Sequence, residues 1–127
     1  MFVTGLTIAL GFMTPIISAI GFPEIAVAQM VDPRKVEADD LLKVGLKQYQ
    51  VSQFEKAFQS WQEALKLYRE IKDLRGEGST LGNLGIVYYL FGRYPKAIEY
   101  QEQRLAIARE IKNRYGERKT LNNLEGV

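Results

Sequence analysis

Apolar residues recur every three or four positions along most of this chain, the spacing that places them on one face of an α-helix. Over residues 36–51 the apolar positions are Leu41, Leu42, Val44, Leu46 and Tyr49. A second helix is predicted over 54–71 by Phe54, Ala57, Phe58, Trp61, Ala64, Leu65, Tyr68 and Ile71. The same apolar spacing recurs further along the chain and predicts a second pair of helices. One runs from about Glu77 to Phe91, and the other carries apolar residues from Tyr94 to Ile111. The pattern predicts an all-α chain of paired helices.

The two pairs are one unit repeated at an offset of 40 residues, since Arg69-Glu70-Ile71-Lys72 returns as Arg109-Glu110-Ile111-Lys112. The matched positions include Leu41 and Leu81, Gly45 and Gly85, Tyr49 and Tyr89, Ala57 and Ala97, and Leu65 and Leu105. A third unit opens with Thr120-Leu121, Asn123 and Leu124, which match Thr80-Leu81, Asn83 and Leu84. A fixed offset indicates that each unit buries its apolar face against its neighbour.

Glycine inside a helix costs about 1 kcal/mol relative to alanine. Gly45 and Gly85 therefore predict close helix contacts, expected against Ala57 and Ala97 of the partner helices. Gly92 is expected to end its helix in the left-handed conformation. Ser52 takes that position in the first unit, so the first turn should be the more strained of the two. The glycines of Gly76-Glu77-Gly78 are interpreted as a turn between the repeats.

The segment from Leu81 to Tyr100 resembles a tetratricopeptide repeat (TPR), because it carries the Leu-Gly, Tyr, Gly-x-Tyr and Ala-Ile signature in order. The resemblance covers about residues 37–125. The long period is similar to that of kinesin light chains and of exported bacterial arrays. The resemblance implies a right-handed α-solenoid of antiparallel helix pairs. Its two full repeats and partial third repeat are expected at about 37–76, 77–116 and 117–127.

The second unit departs from the family pattern at two positions. Gln101 and Arg104 stand where the family prefers an aromatic residue and an alanine, which the first unit supplies as Trp61 and Ala64. In the third unit, Glu125 takes a small-residue position, and no partner helix follows. We therefore expect a fragment, a degenerate gene product, or a chain that self-associates through its uncapped C-terminal repeat.

The N-terminal segment has a different composition. No charged residue occurs from Met1 to Pro23, and Ala26-Val27-Ala28 has the small-x-small pattern that precedes signal cleavage. Residues 1–28 are interpreted as a signal peptide, followed by a linker over 29–36 and a TPR domain over 37–127. Cleavage would make the protein exported, either periplasmic or extracellular. An uncleaved segment would instead anchor it and bring it into contact with the membrane.

Composition excludes several functions. The chain has no cysteine and no histidine, which removes thiolate chemistry, the usual zinc ligands and the usual general base. Its 17 Lys and Arg residues alternate with 15 acidic ones, as on a solvated helix face and unlike a nucleic-acid-binding surface. We therefore expect no enzyme activity, no cofactor, no metal site and no nucleic-acid partner.

The resemblance implies that the first helix of each pair lines a concave groove that binds peptides. The groove residues expected here are Leu42, Leu46, Tyr49, Asn83, Ile86, Tyr89, Lys119 and Asn123. A carboxamide donates and accepts hydrogen bonds, so Asn83 and Asn123 could hold a peptide backbone, or could be solvated or cap a helix. Tyr49 and Tyr89 are either peptide anchors or packing residues. A chaperone-type carboxylate clamp is not expected, because Leu42 and Leu46 replace its first lysine and asparagine.

These observations favour a noncatalytic module, a scaffold that binds a peptide or a neighbouring domain of a protein partner. The alternative is an N-terminal regulatory fragment of a larger exported TPR protein with a downstream, peptidase-like catalytic domain. A structural spacer that binds nothing is the third interpretation.

Overall fold

The computed structural model describes residues 30–127, and the elements of this range are α-helices. They are α1 (Pro33–Gln50), α2 (Phe54–Glu70), α3 (Leu74–Leu90), α4 (Tyr94–Glu110) and α5 (Arg114–Glu125). The strongest contacts join α1 to α2 and α3 to α4, and the pairs stack through contacts of α2 with α3 and of α4 with α5. The prediction of an all-α solenoid of helix pairs, with two full repeats and the opening of a third, is confirmed.

Two helices begin earlier than the sequence pattern predicted. Helix α1 begins at Pro33, within the segment expected to be a linker, because proline is well suited to the first position of a helix. Helix α3 begins at Leu74, so Gly76-Glu77-Gly78 is helical and its interpretation as a turn is wrong. The Asp73 side chain explains this start, since its Oδ1 accepts a hydrogen bond from the Gly76 N–H at 3.0 Å.

The signal peptide or membrane segment expected over residues 1–28 lies outside the described residues. Within residues 30–127, no helix has the length and apolar character that crossing a membrane requires.

Contacts between the repeats recur at the same offset as the sequence. Arg69 pairs with Glu77 at 2.9 Å, and Arg109 pairs with Glu117 at 2.9 Å. Asn113 caps α5 as Asp73 caps α3, with an N–H···O distance of 2.9 Å from Gly116. These repeated contacts fix the geometry with which each unit meets the next.

The core confirms the close contacts predicted at the two helix glycines, where the nearest atoms belong to Trp61 and Gln101. A Cβ atom on Gly45 would lie 2.3 Å from Nε1 of Trp61, and one on Gly85 would lie 2.7 Å from Nε2 of Gln101. That Ala57 and Ala97 also face these glycines stays a prediction. The side chain one turn further along the partner helix fills the space, while both alanines are buried.

The connections between helices contain residues in the left-handed region. Gly92 has a φ of 72°, as predicted, and Ser52 has a φ of 61° at the matched position. Lys72 and Lys112 also have positive φ values, 57° and 55°, in the connections between the pairs. Side chains with a Cβ atom pay a steric cost in this region, whereas glycine does not.

We expect Ser52→Gly to raise the free energy of unfolding by about 1 kcal/mol, because it removes that steric cost. Gly92→Ser makes the opposite change at the matched position and should lower it by a similar amount. Open space surrounds the Cβ position of Gly92, so the backbone conformation alone decides its effect. Urea denaturation of both variants measures the two changes, and shifts of the same sign would contradict the account.

Candidate functional site

Trp61 on α2 and Gln101 on α4 occupy the same position of successive repeats, and both are almost fully buried, at 2% exposure. Nε1 of Trp61 donates a hydrogen bond to the Leu42 carbonyl oxygen at 3.2 Å. Nε2 of Gln101 donates to the Gly82 carbonyl oxygen at 3.2 Å, and Gly82 matches Leu42 in the repeat. Glutamine therefore reproduces the hydrogen bond of tryptophan without the volume of its indole ring.

A cavity of about 300 Å³ lies beside Gln101, between α3, α4 and α5. Its lining residues are Gly85, Ile86, Tyr89, Ala97, Gln101, Asn122, Asn123, Gly126 and Val127. The lining is largely apolar, with the carboxamides of α4 and α5 among the aliphatic and aromatic groups. Such a mixture of apolar surface and a few polar groups is typical of binding sites.

Two of the lining residues each have one buried side-chain atom without a hydrogen-bond partner within residues 30–127. These atoms are Oε1 of Gln101 and Nδ2 of Asn123. The hydrogen bond from Nε2 of Gln101 to Gly82 fixes the orientation of this carboxamide, so the atom left over is the acceptor. An unpaired buried polar group costs about 1–3 kcal/mol. Both atoms are shielded from solvent, so a ligand in the cavity would pair with them only if the two carboxamides turned toward it.

The structure brings together three of the residues predicted to bind a peptide. Ile86 and Tyr89 of α3 and Asn123 of α5 line the cavity. The Tyr89 side chain is 44% exposed, and its ring centroid lies 5.3 Å from that of Tyr94. Three of the positions expected to face the groove in the second and third repeats thus meet at one cavity.

The other predicted residues lie elsewhere. Tyr49 packs its ring against Phe54 and Trp61, with centroid distances of 5.4 and 5.8 Å, and Leu42 is half-buried against the core. These two positions have packing contacts, which was the second interpretation of Tyr49. The remaining three do not line the cavity: Leu46 and Lys119 are exposed, and Asn83 is half-buried. The roles of all eight residues in binding a ligand stay predictions.

Sequence reasoning did not include Gln101 among the site residues. The signal was its departure from Trp61 at an otherwise regular offset, which indicated a change of packing but not the cavity. No cluster of three or more carboxylate, histidine or cysteine side chains that could hold a metal ion occurs in the described part of the chain.

Comparisons of the sequence and of the fold with known proteins match this chain to one family. A family model described as the tetratricopeptide repeat matches residues 41–110. The crystal structure of the TPR domain of Arabidopsis FLU is similar, with a TM-score of 0.68 and 28% sequence identity. The match covers 72% of this chain and 77% of that one. No curated protein matches the sequence significantly.

Proposed function

The chain belongs to the tetratricopeptide repeat family, and we propose that it is a noncatalytic interaction module that binds an extended peptide segment of a partner protein. The segment would enter the cavity beside Gln101. The observation that carries this proposal is that Gln101 and Asn123, two residues lining one largely apolar cavity, each have a buried polar atom without a partner.

An extended peptide has the complementary chemistry. In a strand, the N–H and C=O groups of one residue point to the same side, as they do when antiparallel strands pair. The N–H of such a residue would donate to Gln101, and its carbonyl oxygen would accept from Asn123. Both buried atoms would then gain a partner, and the contact would not depend on the side chain of the bound residue.

The apolar lining supplies the remaining contact. Ile86, Tyr89 and Ala97 surround the cavity, and Tyr89 remains accessible at its edge. A neighbouring apolar side chain of the peptide would be buried there, with a gain of about 25 cal/mol for each Å² of apolar surface removed from water. We therefore expect peptides that combine an extended backbone with at least one apolar anchor.

Selection from a random peptide library, followed by calorimetry, tests the proposal. Asn123→Ala should lower the affinity for a selected peptide about fivefold, since one hydrogen bond contributes about 1 kcal/mol. Asn83→Ala is the matched control, because Asn83 holds the same repeat position and does not line the cavity. Its effect should be clearly smaller.

Methylation of the peptide backbone provides a second test on the ligand side. N-methylation should weaken binding most at one peptide position, where it removes the hydrogen bond to Oε1 of Gln101. An equal loss from Asn83→Ala and Asn123→Ala, together with tolerance of methylation at every position, would contradict binding in this cavity.

A further inference from the structure

The first repeat contains a compact cluster of charges at the start of α1. Nζ of Lys35 lies 2.6 Å from Asp39 and 3.1 Å from Asp73, and the Tyr68 hydroxyl donates to Asp39 at 2.6 Å. Burial alone would raise the pKa of Asp39, but the hydrogen bonds from Lys35 and Tyr68 hold it below its ordinary value. One cation here is balanced by two carboxylates.

The second repeat keeps the cation and loses its partners. At the matched positions, Arg75 replaces Lys35, while Ser79 and Asn113 replace the two aspartates. Ala108 replaces Tyr68, which leaves a cavity of about 40 Å³ next to Gly116. Its lining residues are Arg75, Gly78, Ser79, Arg104, Ile107, Ala108, Ile111, Asn113 and Gly116. None of them carries a carboxylate.

Arg104 adds a second cation to this lining. It stands where the first repeat has Ala64, and its guanidinium lies over Gly82, whose Cβ position is 2.6 Å from Nη1. Burial lowers the pKa of Arg104. Neither Arg104 nor Arg75 forms an ion pair within residues 30–127.

Two acidic residues adjacent in sequence to the lining already have partners, because Glu77 pairs with Arg69, and Glu117 pairs with Arg109. Arg75 and Arg104 therefore line one partly enclosed cleft between α3, α4 and α5, and no lining residue of this cleft carries a carboxylate. Guanidinium groups bind carboxylates through paired, charge-assisted hydrogen bonds.

We propose that this cleft, lined by Arg75 and Arg104, is an anion-binding subsite for an acidic side chain of the peptide held beside Gln101. The inference rests on the proposed function for the identity of the ligand. Gly78 lines the cleft and Gly85 lines the larger cavity, seven residues further along α3. That separation is about 10 Å along the helix, or about three residues of an extended peptide. The acidic residue therefore lies about three positions from the residue that bonds Gln101.

Inorganic phosphate tests the cleft without any peptide. Titration into the isotope-labelled protein, at constant ionic strength set with chloride, should give saturable NMR shifts at Gly78, Ser79 and the Arg104 guanidinium. Arg104→Gln and Arg75→Gln should abolish these shifts. The charge-matched control Arg93→Gln should keep them, because Arg93 is exposed and lines neither cavity. Absence of saturable shifts, or their persistence in both cleft variants, would overturn the subsite.

Paired peptides then test the ligand. Two pairs of peptides are made from a selected peptide. One pair carries Glu or Gln three positions before the methylation-sensitive residue, and the other pair carries Glu or Gln three positions after it. In one of the two pairs, the Glu peptide should bind about tenfold more tightly than the Gln peptide, the ratio that corresponds to 1.4 kcal/mol. That gain should vanish in Arg75→Gln, whose exposed site does not affect folding, and should remain in Arg93→Gln.

The two proposals fail in different ways. If phosphate binds at the cleft but no library peptide binds, the proposed function fails, and the cleft is an anion site that serves another ligand. If peptides bind beside Gln101 with equal affinity for Glu and Gln in both pairs, the proposed function stands, and the acidic subsite is wrong.

Discussion

Gln101→Trp should abolish peptide binding and raise the free energy of unfolding by about 0.5–2 kcal/mol, the range of successful cavity-filling substitutions. Trp61 shows that an indole fits at this repeat position when glycine lies opposite, and Gly85 supplies that glycine as Gly45 does for Trp61. The indole N–H can reproduce the hydrogen bond to the Gly82 carbonyl. The ring would replace the unpartnered Oε1 atom with apolar surface and occupy the cavity in which we propose that the peptide binds.

Thermal unfolding and calorimetry with a selected peptide measure the two effects together. Affinity should fall at least tenfold, which corresponds to a loss of about 1.4 kcal/mol. Glu102→Trp, at the next and exposed position of α4, controls for a tryptophan that does not enter the cavity. A variant that is stabilised but still binds the peptide would place the ligand elsewhere.

Trp61→Ala should lower the free energy of unfolding by about 3–5 kcal/mol, the range measured for large aromatic residues in cores. The indole is 2% exposed, fills the space opposite Gly45 and lies 5.8 Å from the Tyr49 ring. Its removal would leave a cavity at the centre of the first repeat, and the second repeat would lose the support of its neighbour. Domains have a total stability of about 5–15 kcal/mol, so this loss is large.

Circular dichroism is the measurement for Trp61→Ala, since the substitution removes the chain's single tryptophan and its fluorescence. Gln101→Ala is the matched variant in the second repeat. Its cost should be far smaller, because a cavity already exists there. Similar losses at the two positions would mean that the repeats pack alike, contrary to the structure.

The repeat offset was sufficient to predict the helix pairs, their order and their stacking. It did not predict where α3 begins, because glycines in a first turn look the same in sequence as glycines in a loop. The hydrogen bond from the Gly76 N–H to the Asp73 side chain determines where α3 begins, and periodicity carries no information about such a side-chain contact. Periodicity likewise marked Gly45 as a close contact without identifying Trp61 as its partner.

The candidate site was predicted in part for a similar reason. Repeat position predicted Ile86, Tyr89 and Asn123 as neighbours in one groove, and these three residues line one cavity. Tyr49 has the same spacing as Tyr89 but packs against Trp61. Whether a groove position is open depends on the size of the residue opposite it, here tryptophan in one repeat and glutamine in the next. The openness of a groove position therefore depends on pairs of residues on two helices, which the periodicity of one helix does not show.

The most direct test of the peptide site is an NMR measurement of the complex with a selected peptide. If the peptide binds in this cavity, intermolecular NOEs are expected between the Asn123 side-chain amide protons and one peptide residue, with chemical-shift changes at Ile86 and Tyr89. The contradicting result is a bound peptide whose NOEs fall instead on the surface of α2 and α4 formed by Gln62, Lys66 and Tyr100, with Asn123 unchanged.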